Sequence, residues 1–301
     1  MTTTAPPSTS AALTLARGGV WTTVRYWLGN WKLTLGLGLI LFLILFSAIG
    51  SFFYPYSRTE MMRGPLSVSP NPEYPLGTDN TGRDIMALMV YGIPTSLRIG
   101  LIAGGIGTVV GTLLGLMTGY WRGRIDNVIR TISDVFMVIP GLMILIIIAS
   151  YVRSTSIEVT GFVIAILAWP GPLRAVRAQT LSMRELGFVS LAKISGLSDF
   201  EIIVRHILPN LLPYIMAGFV GSVSGAILAS VGIQLLGLGP LTIPNLGMIL
   251  QFAFYGAALY QGRYWWWGAP TVALMILFMG LFLISVGLDE YANPRLRERA
   301  G

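Results

Sequence analysis

The sequence predicts an all-α integral membrane protein with six transmembrane helices and with both termini in the cytoplasm. Hydrophobic residues make up 54% of the 301 residues and charged residues only 11%. The mean hydropathy of +0.71 lies outside the range of soluble proteins. Six apolar runs approach the length of about 20 residues that a helix needs to cross a bilayer. Lys and Arg concentrate in alternate connecting segments, as the positive-inside rule predicts for a multi-pass chain.

The composition excludes several classes of protein and site. The chain has no Cys, which excludes disulfides and thiolate metal sites. The net charge of +7 is explained by orientation in the membrane, because no basic run interleaved with aromatic residues indicates nucleic-acid binding. The lipid bilayer is therefore an expected partner, and nucleic acid is not.

The predicted spans divide the chain into two tails, an outer loop and a core. Residues 1–32 form a cytoplasmic tail leading into a first span that is retained, since a cleavable signal peptide has a shorter basic lead. Residues 55–98 form an extracytoplasmic loop in which 85–91 is a short interfacial helix. Residues 99–288 form a five-helix core, and 289–301 form a second cytoplasmic tail. The spans are 33–54, 99–120, 135–151, 157–176, 211–236 and 266–288.

The distribution of positive charge sets the predicted orientation. With both termini in the cytoplasm, 14 of the 20 Lys and Arg residues lie inside and 6 lie outside. This orientation places the polar and basic segment 184–213, between the fourth and fifth spans, in the cytoplasm.

Charged and turn-forming residues cluster at the end of the outer loop, in the stretch PLGTDNTGRD. We expect Asp79 or Asp84 to pair with Arg83 or Arg98 and so to tie the loop, a structural role that is favoured over ligand binding. In the next cytoplasmic loop, Asp126 is expected to pair with a residue one turn later, Arg130.

Small residues at four-residue spacing predict close helix packing in two spans. The second span carries Gly107, Gly111, Gly115 and Gly119, and the fifth carries Ala217, Gly221 and Gly225. Both stripes indicate a tight bundle and a possible helical partner subunit. Three consecutive Trp residues, 265–267, are expected to form an aromatic belt at the membrane surface rather than a sugar-stacking site.

Several kinds of chemistry are missing from the sequence. No Gly-x-x-x-x-Gly-Lys-Ser/Thr loop occurs, so any ATP must be bound by another polypeptide. The only charges within the predicted spans are Glu158 and Arg174, which disfavours an ion-coupled transporter. His206 is the only His, and its position predicts an interfacial residue rather than a metal ligand. The chain is therefore expected to be no enzyme and to bind no cofactor or metal itself.

Segment 184–213 is predicted to form a short helix lying across the membrane. The chain turns near Gly187, a helix covers 188–194, and Gly196 ends it with a positive φ. Ser198 or the residue after it caps the next helix. Three residues, Phe188, Leu191 and Ala192, are expected to share one face that suits a groove on a partner protein.

The same segment resembles a known family. Phe188-Val189-x-Leu191-Ala192, then Gly196, then His206-Ile-Leu-Pro209-Asn210 is similar to the cytoplasmic EAA loop of ABC importer permeases of the oligopeptide, dipeptide and nickel group. Ser190 stands where that family has an acidic residue. The Leu-Gly-Thr-Asp-x-x-Gly-Arg-Asp motif of the outer loop, residues 76–84, also resembles this group.

The resemblance implies a type I ABC importer permease fold with a coupling loop at 184–206. Its implied partners are a second homologous permease, two ATPase subunits that bind ATP and Mg, and an extracytoplasmic substrate-binding protein. The implied ATPase-coupling residues are Phe188, Val189, Ser190, Leu191, Ala192, Gly196 and Ser198. The loop-exit motif is His206, Pro209 and Asn210.

Oligopeptides are the expected substrates, and oligosaccharides or nickel are the alternatives. From their outer-half position alone, the candidates for the translocation path are Gln234, Met248, Gln251, Phe252 and Tyr255. A membrane scaffold that recruits a cytoplasmic partner without transport is the alternative from a different functional class.

Overall fold

The computed structural model describes residues 30–152 and 156–292, and the chain is helical throughout these ranges apart from its connections. The α-helices are α1 Trp31–Phe53, α2 Ile85–Trp121, α3 Gly123–Val138, α4 Gly141–Val152, α5 Ile157–Ala168, α6 Pro170–Met183, α7 Gly187–Ile194, α8 Asp199–Ile202, α9 Leu208–Leu235, α10 Leu246–Tyr255 and α11 Tyr264–Ala292. The predicted tails, 1–32 and 289–301, lie mostly outside the described residues.

The predicted all-α membrane class is confirmed. Among the described residues, four helices are long and apolar enough to cross a membrane, and up to six spans result if each of two bent helix pairs counts as one. The four are α1, α2, α11 and the helix that runs from α8 through a π-helical turn at Ile203–Ile207 into α9. The location of both termini in the cytoplasm remains a prediction.

The second span is longer than the sequence predicts. The interfacial helix expected at 85–91 is not separate, because α2 continues from Ile85 to Trp121 over 37 residues. The Asp84 side chain accepts hydrogen bonds from the Met86 and Ala87 amides and so caps the start. Pro94 lies inside the helix on an exposed face, and the helix continues through it even though proline cannot donate a backbone hydrogen bond.

The third and fourth spans are broken rather than straight. Helices α3 and α4 meet at 86°, and α5 and α6 meet at 43°. A proline stands at each break, Pro140 between α3 and α4 and Pro170 at the start of α6. Proline lacks the amide hydrogen and clashes with the preceding turn, so each helix ends just before it. The single helix expected at 135–151 was therefore wrong.

The glycine stripe of α2 packs as predicted. A methyl group at Gly107 would lie 2.5 Å from Ala168 Cβ, and one at Gly119 would lie 2.6 Å from Thr180 Cβ. The stripe therefore lets α2 contact α5 and α6 backbone to backbone. The second stripe differs, because a methyl at Gly221 or Gly225 would meet nothing within 4 Å in the described chain.

Candidate functional site

The segment singled out by the sequence forms two short helices at one end of the bundle. Helix α7 ends in a Schellman motif, in which the Leu197 amide donates to Ala192 O (3.2 Å) and the Gly196 amide donates to Lys193 O (3.0 Å). This motif needs a left-handed residue, and Gly196 supplies it with φ +80°. The predicted positive φ is therefore present.

Helix α8 begins with a capping box. The Glu201 amide donates to Ser198 Oγ at 3.3 Å, and the Ser198 amide donates to Glu201 Oε2 at 3.1 Å. Ser198 is thus the N-cap that the sequence predicts, and its role in the segment is to start the helix.

The loop-exit residues lie where α8 joins α9. Five residues, Ile203–Ile207, form a π-helical turn before α9 begins at Leu208. Pro209 has no amide hydrogen to continue the α-helical bonding through this point, which accounts for the widened turn. Asn210 Nδ2 donates to His206 O at 2.6 Å. All three loop-exit residues therefore lie at the π-helical turn or directly after it.

The inner face of α7 is anchored in the bundle. Val189 and Ala192 are buried in an apolar cluster to which α2 contributes Leu116, α6 contributes Val176 and the π-helical turn contributes Ile207. Ala192 was expected on the same face as Phe188 and Leu191, and this expectation was wrong. Residues 188 and 192 are one helical turn apart, which is why the sequence suggested a shared face. In the structure the apolar cluster covers the side of α7 that carries Val189 and Ala192, so Ala192 is buried while Phe188 and Leu191 stay exposed.

The outer face of α7 and the start of α8 expose large apolar side chains. Leu191 is 64% exposed and Ile194 is 84% exposed, and Ser190 and Gly196 are exposed beside them. We name the exposed apolar residues the α7 patch: Leu186, Phe188, Leu191, Ile194 and Phe200. An apolar patch among polar neighbours is typical of a protein interaction site.

Polar contacts hold the two short helices on the end of α2. Asp199 accepts hydrogen bonds from Tyr120 Oη (2.7 Å) and Trp121 Nε1 (3.1 Å). Lys193 Nζ lies 5.0 Å from the centre of the Tyr120 ring, and Arg184 donates to the Tyr120 carbonyl. These anchoring roles were not predicted from the sequence. The available signal was a Tyr-Trp pair at the end of a long apolar run.

Ion pairs join α3 to α6 next to this site. Arg177 donates to both carboxylate oxygens of Asp126, at 2.6 and 2.7 Å, and Arg174 pairs with Asp134. The pair expected between Asp126 and Arg130 was therefore wrong. A bidentate ion pair with a partly buried guanidinium is stronger than an exposed ion pair between residues of the same helix.

The residues predicted for the translocation path do not share one environment. Gln234, Met248 and Gln251 are buried within the described chain, and Gln234 Nε2 donates to Gln251 Oε1 at 3.1 Å. Phe252 lies under the Arg83 guanidinium at 3.9 Å, and Tyr255 is exposed. In this conformation the first four pack inside the protein.

A wide groove instead runs along α9, between α4 and the α5–α6 pair. Its volume is about 610 Å³. Its lining is almost wholly apolar and includes Leu142, Leu145, Leu167, Gly218, Gly221 and Gly225. The second glycine stripe thus lines an open groove. No cluster of three or more potential metal ligands occurs among the described residues.

Comparisons with known proteins identify relatives over most of the chain. The family of binding-protein-dependent transport system inner membrane components matches residues 111–298. The dipeptide transport system permease protein DppC of Haemophilus influenzae is 30% identical over 281 residues, covering 91% of this chain and 94% of that protein. The oligopeptide transport system permease protein OppC of Lactococcus lactis subsp. cremoris is 33% identical over 226 residues, covering 74% of this chain and 76% of that protein.

Solved structures show a similar fold. A chain of the MetNI methionine ABC transporter, in an inward-facing conformation, has a TM-score of 0.51 and 20% sequence identity. The match covers 69% of this chain and 96% of that chain.

Proposed function

The chain belongs to the family of binding-protein-dependent transport system inner membrane components, and we propose that it is one of two permease subunits of an ATP-driven peptide importer. It is a multi-pass protein of the cell membrane. The transport of dipeptides and oligopeptides for which its relatives are named favours peptides over oligosaccharides and nickel. The second permease, two ATPases and an extracytoplasmic binding protein complete the proposed assembly, and the ATPases bind ATP and Mg.

The α7 patch is the observation that carries the proposal. Five large apolar side chains at a cytoplasmic surface are unfavourable unless a partner covers them. In the proposed assembly the patch docks in a groove on an ATPase subunit. Phe188, Ser190, Leu191 and Gly196 contact the partner, whereas Val189 and Ala192 hold α7 in place from behind.

Because α7 is packed against the spans, a displacement of the α7 patch is expected to move them. Val189 and Ala192 pack against the ends of α2, α6 and α9, and Asp199 is hydrogen-bonded to the last turn of α2. Helices that are close-packed against one another, as these are, move together rather than bend independently. A displacement of α7 on closure of the ATPases is therefore transmitted as a rigid-body shift of these helices.

The groove along α9 is proposed to face the second permease. Its glycines leave open space in this chain, and small residues favour close approach of another membrane helix. Two such surfaces together would enclose a path for the substrate. An almost wholly apolar lining suits a path that carries peptides of varied sequence, because it offers few fixed polar partners to bind them tightly.

The coupling role is tested by placing a charge in the patch. Leu191→Glu changes a side chain that is exposed in this chain, so the subunit itself is expected to fold. The variant is expected to lose co-purification with the ATPase subunits and to lose peptide uptake, because a buried unpaired carboxylate is costly at an interface. Leu66→Glu, at a similarly exposed site on the outer loop, is the matched control.

Wild-type assembly and uptake in Leu191→Glu would contradict docking through the patch. Loss of both in the Leu66 control would show that the assay reports general damage. The substrate class is tested separately, by measuring uptake of labelled dipeptides, oligopeptides, oligosaccharides and nickel by the complete transporter. Uptake of nickel or sugar without peptide would overturn the peptide assignment and leave the permease role intact.

A further inference from the structure

A second groove, which shares no lining residue with the groove along α9, lies between α1 and α11. Its volume is about 500 Å³ and its lining is almost entirely apolar. The lining includes Phe42, Phe46, Leu76, Tyr264, Trp265 and Gly268. Because α1 and α11 are both long and apolar enough to span the membrane, this groove opens toward the lipid.

An arginine without an acidic partner stands at one end of this groove. Arg263 directly precedes α11, and its Nη1 donates to Ser67 Oγ at 2.5 Å. Four other arginines on the same predicted side, Arg58, Arg63, Arg83 and Arg98, each pair with a carboxylate. Within the part of the chain that the structure describes, Arg263 forms no ion pair.

Its position in the chain places Arg263 at the rim of the groove, because it directly precedes two lining residues, Tyr264 and Trp265. Val68 O and Trp265 Nε1 lie 2.5 and 2.8 Å from where a side chain at Gly77 would begin. The Val68 carbonyl and the Trp265 indole therefore both lie against Gly77, and Trp265 lines the groove. Tyr264, which follows Arg263, also lines the groove and is exposed.

We propose that this groove is a binding site for an anionic phospholipid. An acyl chain lies in the apolar groove, and the headgroup phosphate pairs with the Arg263 guanidinium. The unpaired cation is what favours an anionic headgroup over a zwitterionic one. Tyr and Trp at the rim match the depth of the headgroup region, where these side chains are enriched.

The site is tested by native mass spectrometry of the detergent-purified protein titrated with phosphatidylglycerol or with phosphatidylcholine of the same chains. Arg263→Gln is expected to weaken phosphatidylglycerol binding about fivefold and to leave phosphatidylcholine unchanged, since one cation near the headgroup contributes about that factor. Arg63→Gln is the matched control, because Arg63 is an exposed arginine on the same predicted side of the membrane and pairs with Glu60.

A second pair of variants tests the groove itself. Gly268→Leu places a side chain in the groove, and nothing lies within 4 Å of its first carbon, so it is expected to abolish retention of both lipids. Gly38→Leu adds the same bulk to α1 at an equally open position outside the groove and is expected to change nothing. Glycerol phosphate, which lacks acyl chains, is expected not to displace the lipid.

Three results would overturn the proposal. They are equal binding of the two lipids to the wild type, equal losses in Arg263→Gln and Arg63→Gln, or full retention in Gly268→Leu. Displacement of the lipid by glycerol phosphate would show instead that the site recognises a phosphate group alone.

Discussion

Removal of the Asp79 carboxylate is expected to be among the most destabilising single changes in the outer part of the protein. Asp79 is 0% exposed and Arg83 is 2% exposed, and Arg83 Nε donates to Asp79 Oδ2 at 2.6 Å. The other carboxylate oxygen accepts from the Thr81 amide, the Thr81 hydroxyl and the Arg83 amide at 2.7 to 3.0 Å. The carboxylate therefore closes the turn and neutralises the arginine.

The size of the expected loss in unfolding free energy follows from the unpaired Arg83 guanidinium that Asp79→Ala leaves behind. The Arg83 guanidinium would stay buried against the Phe252 ring and Met248 Sδ, neither of which is an anion. Its Nη2 already lacks a hydrogen-bond partner within the described chain. Breaking a buried ion pair by removing one partner costs about 3–5 kcal/mol. The double change Asp79→Ala with Arg83→Met removes the stranded charge and is expected to recover part of that loss.

The assay is equilibrium unfolding in mixed micelles, followed by helical circular dichroism during an SDS titration. Arg63→Gln is the control, because its pair with Glu60 is exposed and such pairs contribute about 0–1 kcal/mol. If Asp79→Ala lowered the unfolding free energy no more than Arg63→Gln, the argument from a buried charge would be refuted. A double variant less stable than Asp79→Ala would refute it as well.

Two further predictions concern contacts between the spans, the first between α2 and α5 and the second between α3 and α6. Gly107→Leu is expected to prevent α2 from contacting α5 and to lower the unfolding free energy by more than about 3 kcal/mol, the upper end for ordinary overpacking. Gly105→Leu in the same helix, where the nearest atom to an added carbon is Phe219 Cε2 at 3.9 Å, is expected to cost much less in the same titration. Asp126→Arg is expected to abolish uptake by the complete transporter while the exchange Asp126→Arg with Arg177→Asp restores part of it, and no recovery would contradict a direct pair between α3 and α6.

The membrane class and the helices followed from the sequence because they depend on local properties. Apolar length, the positive φ at Gly196 and the N-cap at Ser198 involve residues close together in the chain. The breaks at Pro140 and Pro170 are equally local, because proline ends a helix just before it. The glycine stripe of α2 predicted close packing because a helix places every fourth residue on nearly the same face.

The sequence could not decide which partner each polar or exposed residue finds. Asp126 has Arg130 one turn away, yet it pairs with Arg177 because the helices bring that guanidinium into a two-pronged, partly buried contact. The path candidate Gln234 is buried for the same kind of reason, since Gln251 lies opposite its amide in the folded chain.

The sequence by itself determined that this is a multi-spanning helical protein of the permease family, and it located the segment proposed to couple it to its partners. Only the tertiary structure decided which face of that segment is exposed. Val189 and Ala192 turn inward because α2, α6 and α9 leave an apolar space on that side, and burial of apolar surface outweighs any preference encoded within eight residues of helix. The patch left outside is therefore a consequence of how the spans pack.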